Sequence, residues 1–116
     1  MNYLKLLLVI VTLTVSSSAF AQFFEEDHLI TDVRNNIIWL RCSVGQTWDN
    51  EAKTCTGDLV KLNHDEIEVA LKQAGEQLGG EWRLPTLDEL ESLVCEECEP
   101  PKIKERYFPN ISPEAY

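Results

Sequence analysis

Basic residues are scarce in this chain: 10 lysines and arginines stand against 20 aspartates and glutamates, giving a formal net charge of −10. Such acidity argues against a nucleic-acid partner, because a phosphate backbone needs basic side chains to bind it. Internal repeats, low-complexity tracts and long linkers are also absent, so we expect one small domain. The sequence has no nucleophile elbow, phosphate-binding loop or Ser/His/Asp pattern, and we therefore expect no enzyme activity, catalytic residue or cofactor.

Long apolar runs are absent except near the N-terminus. There, Lys5 precedes an apolar run at residues 6–15, and serines lead to the small-residue step that ends at Ala21. This order is typical of a secretory signal peptide, and the run is shorter than the ~20 residues of a transmembrane helix. We predict a signal peptide over 1–21 and a mature domain over 22–116, exported to the periplasm or the cell surface. An uncleaved N-terminal anchor is the alternative.

The first part of the mature chain predicts a β-hairpin. Apolar and polar residues alternate there, and β-branched side chains are frequent, which indicates strands near 29–33 and 37–42. We expect Trp39 to enter the core. A polar loop with turn residues follows, and the stretch "DLVKLN" at 58–63 predicts a short strand.

Two helices are predicted from their capping residues. Asn63, with Glu66 three residues later, indicates the start of the first helix, and Gly79 indicates its end. Thr86 and Glu89 indicate the start of the second helix in the same way. Apolar residues recur three and four apart in both, so we expect each helix to face a core. These residues are Ile67, Ala70, Leu71, Ala74 and Leu78 in the first helix and Leu87, Leu90, Leu93 and Val94 in the second.

All four cysteines lie in the predicted mature domain. An even number in an exported chain indicates disulfides, which allow three connectivities. We favour Cys42–Cys55, which closes the polar loop and stabilises the fold by roughly 3 kcal/mol on the chain-entropy model. We pair Cys95 with Cys98, a bond that pins the chain where the second helix ends.

Redox catalysis and metal binding are the alternatives to structural disulfides for these cysteines. Cys95 and Cys98 form the Cys-x-x-Cys pair of a thiol–disulfide oxidoreductase, but helix C-termini and nearby glutamates both disfavour a thiolate. Zinc needs four ligands, of which Cys95 and Cys98 supply half; Cys42 and Cys55 lack the knuckle spacing, and His28 and His64 could contribute. Residues 49–51 are the nearest candidates for calcium ligands.

Two features are candidate ligand contacts. Trp48 lies in the polar loop and could stack on a sugar ring, whereas we expect Trp82 to lie in the core. The stretch "KIKER" would place Lys102, Lys104 and Arg106 on one side if it were extended.

Several motifs occur together: "IIWLRCSVGQTWDNEAKTCTG", then "WRLPTLDELESLV", and last the step Tyr107-Phe108-Pro109-Asn110. Over about residues 30–110 this combination resembles the bacterial Lcl C-terminal domain family, long catalogued as a domain of unknown function. The resemblance implies an exported domain with a C-type-lectin-like α+β architecture. It also implies adhesion, because the member that names the family is a collagen-like adhesin that binds sulfated polysaccharide and host surfaces.

The chain departs from the family pattern in two ways. Members usually continue past the Phe-Pro-Asn step into a Trp-Ser/Thr-Ser segment and further strands, so we expect the closing strands to be missing here. The charge of residues 22–116, with 9 basic and 20 acidic side chains, is −11 and repels sulfated sugars. We predict a binding or adhesion module for glycans or cell-surface proteins. The alternatives are a truncated or split structural domain without independent activity and an oxidoreductase using Cys95 and Cys98.

Overall fold

The computed structural model describes residues 21–112, which contain short strands followed by two helices, so the α+β prediction is confirmed. In chain order the elements are β1 (Phe23–Glu26), β2 (Leu29–Asp32), β3 (Ile37–Leu40), β4 (Thr47–Asp49), β5 (Thr54–Thr56), α1 (His64–Leu78) and α2 (Leu87–Glu91). The predicted signal peptide lies outside the described residues except for Ala21. Neither α1 nor α2 has the length and apolar character needed to cross a bilayer.

The first three strands form an antiparallel sheet with β2 in the middle. The predicted hairpin is β2–β3, in which Leu29 pairs with Leu40 and Asp32 with Ile37. Asn36 closes its turn with φ 53°, a left-handed conformation that asparagine tolerates. Sequence reasoning missed β1, because its sequence "FFEE" shows no apolar–polar alternation.

Strands β4 and β5 form a second, two-stranded sheet, in which Trp48 pairs with Cys55. The sequence had indicated only a polar loop at this place. Its turn is closed by Asp49, whose Oδ1 accepts the backbone N–H groups of Glu51 and Ala52, each at 3.0 Å. The polar residues therefore build a tight turn that brings the flanking strands together.

Both helix starts are confirmed. Asn63 Oδ1 accepts the Glu66 N–H at 3.0 Å, and its Nδ2 donates to the Glu66 carboxylate at 2.6 Å. Thr86 and Glu89 form a reciprocal capping box at the start of α2. These side chains bond backbone N–H groups that have no partner inside a helix, which explains where each helix begins.

The predicted burial of the helices is wrong. No residue of α1 or α2 is buried, and Leu87, expected in a core, is 70% exposed. Leu78, Leu90 and Val94 are exposed as well. Among residues 21–112, neither helix has a Cα within 8 Å of another helix or strand. Their apolar faces therefore have no element to pack against, although the spacing on α1 is that of an amphipathic helix.

The predicted strand at 58–63 is also wrong, because this segment is a loop. The Val60 N–H donates to Val44 O at 2.8 Å, but no ladder of bonds follows. Val60 is exposed, so its side chain adds no packing that would favour an extended strand.

The core lies where the C-terminal part of the chain returns to the first sheet. Ile30 is fully buried, and the ring of buried Phe108 meets the rings of Phe23 and Trp39 edge-on, with centroids 6.5 Å and 6.3 Å apart. Trp39 is half-buried in this cluster. Trp82, expected in the core, is only half-buried. Its indole N–H donates to the carbonyl of Gly79, the residue that follows α1, at 2.9 Å.

Candidate binding site

A buried arginine joins distant parts of the chain. Arg41 is 5% exposed, and its Nη1 donates to Asp27 O at 3.0 Å. Its Nε donates to Tyr107 O and its Nη2 to Arg106 O, both at 2.9 Å. Burial lowers the pKa of Arg41, while the charge of Glu25, 3.8 Å from Nη2, acts in the opposite direction. The guanidinium remains charged and holds the returning chain against the β1–β2 turn.

Trp48 packs on this guanidinium. The Arg41 Cζ lies 4.0 Å from the centroid of the indole ring, a cation–π distance. The indole N–H points to Asn50 Oδ1 at 3.4 Å. The disulfide Cys42–Cys55 joins the residue after Arg41 to the strand that pairs with Trp48. The ring is therefore held from one side, while the side chain remains partly exposed.

A charged cleft of about 640 Å³ opens beside Arg41. Its walls carry carboxylates and cations together: Glu25, Glu26, Asp27, Glu105, Arg41, Lys53 and Arg106. Two of these charges already pair, since Arg106 Nε donates to the Glu25 carboxylate at 3.1 Å. A mixture of donors and acceptors suits the hydroxyl groups of a neutral polar ligand better than a strongly charged anion.

The three cations of "KIKER" do not form one surface. Lys102 Nζ donates to Glu96 O at 3.1 Å, whereas Arg106 alone of the three lines the cleft. The Tyr107 N–H bonds to Lys104 O at 3.1 Å, which bends the chain into a turn. The extended arrangement that would align these side chains is therefore not formed.

The Cys95–Cys98 disulfide follows α2 and lies beside an isolated antiparallel bridge between Val94 and Ile103. Glu97 Oε2 lies 3.5 Å from Cys95 Sγ. A carboxylate this close disfavours a thiolate at that sulfur. The surroundings suit a structural cross-link.

The oxygens proposed for calcium serve the β4–β5 turn. Asp49 Oδ1 accepts two backbone N–H groups, and Asn50 Oδ1 accepts from Lys53 Nζ at 2.8 Å. Within the described part of the chain, no three His, Cys, Asp or Glu side chains are grouped so that they could share a metal ion.

The family model of the Lcl C-terminal domain matches residues 28–116. The chain belongs to the Lcl C-terminal domain family. The match begins just before β2 and includes β2–β5 and both helices. Searches of the curated proteins and of the solved structures found no match to the chain.

In this Lcl C-terminal domain, residues from separate motifs meet at one place. Arg41 and Trp48 come from the first motif and contact each other, and Arg41 also donates to the Tyr107 carbonyl of the last motif. Sequence reasoning selected Trp48 and Arg106 but missed Arg41, although it lies in the quoted stretch "IIWLRC". Arg41 directly follows the half-buried strand β3, and this position was the feature that could have identified it.

Asp32 was missed as well. It is fully buried and accepts hydrogen bonds from Gln22, Asn35 and Trp39, the last through the indole N–H at 3.2 Å. Burial by itself raises the pKa of Asp32, but the hydrogen bonds together outweigh it, and the pKa lies below its ordinary value. Asp32 thus orients Trp39 and the β2–β3 turn and remains ionised at neutral pH.

Proposed function

We propose that this protein is an exported binding or adhesion module for glycans or protein surfaces, with Trp48 at the centre of its contact surface. The observation that carries the proposal is the indole ring of Trp48, stacked on Arg41 in a disulfide-linked hairpin and still partly exposed. A side chain ordered before binding loses little conformational entropy when a ligand arrives.

Neutral sugars are the ligands that this surface favours. The flat indole ring suits the apolar face of a sugar ring, and the cleft beside Arg41 supplies donors and acceptors for hydroxyl groups. The acidic charge of the chain opposes the binding of sulfated sugars. The C-type-lectin-like architecture belongs to the same proposal.

Export is supported by two kinds of observation. Both disulfides are formed, and bonds of this kind persist in oxidising compartments. Membership of the Lcl C-terminal domain family agrees with an exported location. We propose that the signal peptide over residues 1–21 directs the protein to the periplasm or the cell surface.

A glycan array tests the binding role. For any sugar that the disulfide-bonded protein binds, Trp48→Ala should weaken binding at least tenfold, about 1.4 kcal/mol, because the stacking surface is lost. Trp82→Ala is the matched control, since Trp82 is also half-buried but lies away from Arg41. Equal binding by both variants, or silence of the unmodified protein on neutral and sulfated sugars, would contradict the proposal.

A structural role without independent activity is the second candidate. It is favoured by the apolar faces of α1 and α2, against which no other helix or strand of residues 21–112 packs, as expected of a truncated or split domain. A thermal melt followed by circular dichroism separates the two, because a cooperative transition indicates an independently folded module. The oxidoreductase alternative is disfavoured because the Glu97 carboxylate lies beside Cys95 Sγ. Two measurements test it: a count of free thiols under native conditions, and an assay for turnover of a dithiol substrate.

A further inference from the structure

The two-helix segment, residues 63–99, carries most of the negative charge of the protein. It contains 11 acidic and 2 basic residues, a formal charge of −9. One of the two cations is already neutralised, because Arg83 forms a bidentate pair with Glu89 at 2.7 and 2.9 Å. The field of this segment therefore attracts cations and repels anions.

The same segment contains an amphipathic helix whose apolar face is only half-buried and, within residues 21–112, packs against no other helix or strand. Five residues of α1 fall within an arc of about 100° on a helical wheel. This apolar face consists of Ile67, Ala70, Leu71, Ala74 and Leu78. Glu66 and Glu68 lie at its two edges, while Val69 lies on the opposite side of the helix and is 57% exposed. An apolar face in a segment of charge −9 is complementary to an apolar stripe flanked by cations.

We propose that the apolar face of α1 is a docking surface for a basic, amphipathic polypeptide helix. The spacing of its apolar residues presents successive turns of the helix to a partner, as in helix-in-groove recognition. Complementary charge would steer the partner and fix its orientation. A second copy of this chain would bring another segment of charge −9 against the first, so like-charge repulsion opposes self-association through this face. The same repulsion opposes docking on an anionic bilayer.

This inference rests on the proposed binding role and assigns it a polypeptide partner on a face separate from Trp48. The probe is a fluorescent synthetic helix with leucines along one side and lysines on the other. Its controls are a peptide with glutamates in place of the lysines and a basic peptide of the same composition in scrambled order. The disulfide-bonded protein should bind the first peptide at least tenfold more tightly than either control, and added salt should weaken that binding.

Variants on the two sides of α1 locate the contact. Leu71→Gln with Leu78→Gln should weaken binding of the basic helix at least tenfold, whereas Val69→Gln on the opposite side should not. Circular dichroism confirms that the variants remain helical. If the double variant loses its fold, Glu68→Lys replaces it, and this reversal of charge should weaken binding of the basic helix while the apolar face stays intact.

Three results would overturn the inference. One is equal binding of the ordered and scrambled basic peptides, and another is equal binding by the variants on the two sides. The third is a dimer in sedimentation that Leu71→Gln with Leu78→Gln dissociates, because a second copy would then cover the face. Since these substitutions lie away from Trp48, they should leave any sugar binding unchanged. A failure of peptide docking is thus distinct from a failure of the proposed glycan role.

Discussion

Arg41 and Asp32 are the two buried charged residues of the described chain, and their charges are met in different ways. Arg41 donates to three backbone carbonyls, while Asp32 accepts from amide and indole N–H groups. In residues 21–112, no buried side-chain nitrogen or oxygen lacks a hydrogen-bond partner. A buried charge is tolerated only when it is paired or hydrogen-bonded, so both residues act as fixed points of the fold.

Replacing Arg41 tests this role. Arg41→Ala should lower the free energy of unfolding by about 3 kcal/mol, because three backbone carbonyls lose their donor and Trp48 loses its support. Urea denaturation followed by tryptophan fluorescence measures the change. Arg34→Ala removes an exposed arginine and should stay within about 0.5 kcal/mol of the unmodified protein. Equal effects of the two substitutions would exclude the proposed cross-linking role.

At the scale of elements, the start of α2 depends on one carboxylate. Glu89 accepts the Thr86 N–H at 2.9 Å and forms the bidentate pair with Arg83. The Arg83 hydrogen bonds, followed by the backbone bond from Thr86, lower the pKa of Glu89 from 4.5 to about 2. α2 has only five residues and no buried side chain, so its end interactions decide whether it forms.

Acid should therefore weaken α2 at its first turn. Because the pKa of Glu89 is lower in the folded state than in the unfolded one, its contribution is present above pH 4.5 and is lost as pH falls toward 2. NMR chemical shifts of residues 86–91 should report the loss of the first helical turn as the pH falls. The Glu89→Gln variant should show the same loss at every pH, because it has no carboxylate to titrate. Glu91→Gln, an exposed substitution at the end of the same helix, is the control. A Glu89 carboxyl that titrates near 4.5 would contradict the expectation.

At the scale of the whole molecule, cross-links hold the strands and the returning chain, whereas the helices remain outside the packed part. The Cys42–Cys55 bond spans 13 residues and joins the end of the first sheet to the second. The Cys95–Cys98 bond spans only 3 residues. Because the entropy of an unfolded chain falls more when a longer loop is closed, the first bond should contribute more to stability.

Removing each disulfide separately tests this ranking. Cys42→Ala with Cys55→Ala should lower the free energy of unfolding by about 3 kcal/mol, and Cys95→Ala with Cys98→Ala by about 2 kcal/mol. Urea unfolding of the two double variants under identical conditions gives the comparison. A larger loss for the second pair would show that strain or packing, rather than loop entropy, governs the stability of the molecule.

The amino-acid sequence by itself determined the features that depend on neighbouring residues. Asn63 with Glu66 and Thr86 with Glu89 start their helices through contacts three residues apart, and the β2–β3 hairpin follows from local alternation. Tertiary structure alone decided burial and the site. Arg41 meets carbonyls 65 and 66 residues further along the chain, which no local pattern encodes. The apolar spacing of α1 could predict an amphipathic helix, but not whether anything would cover it, because burial requires a second surface.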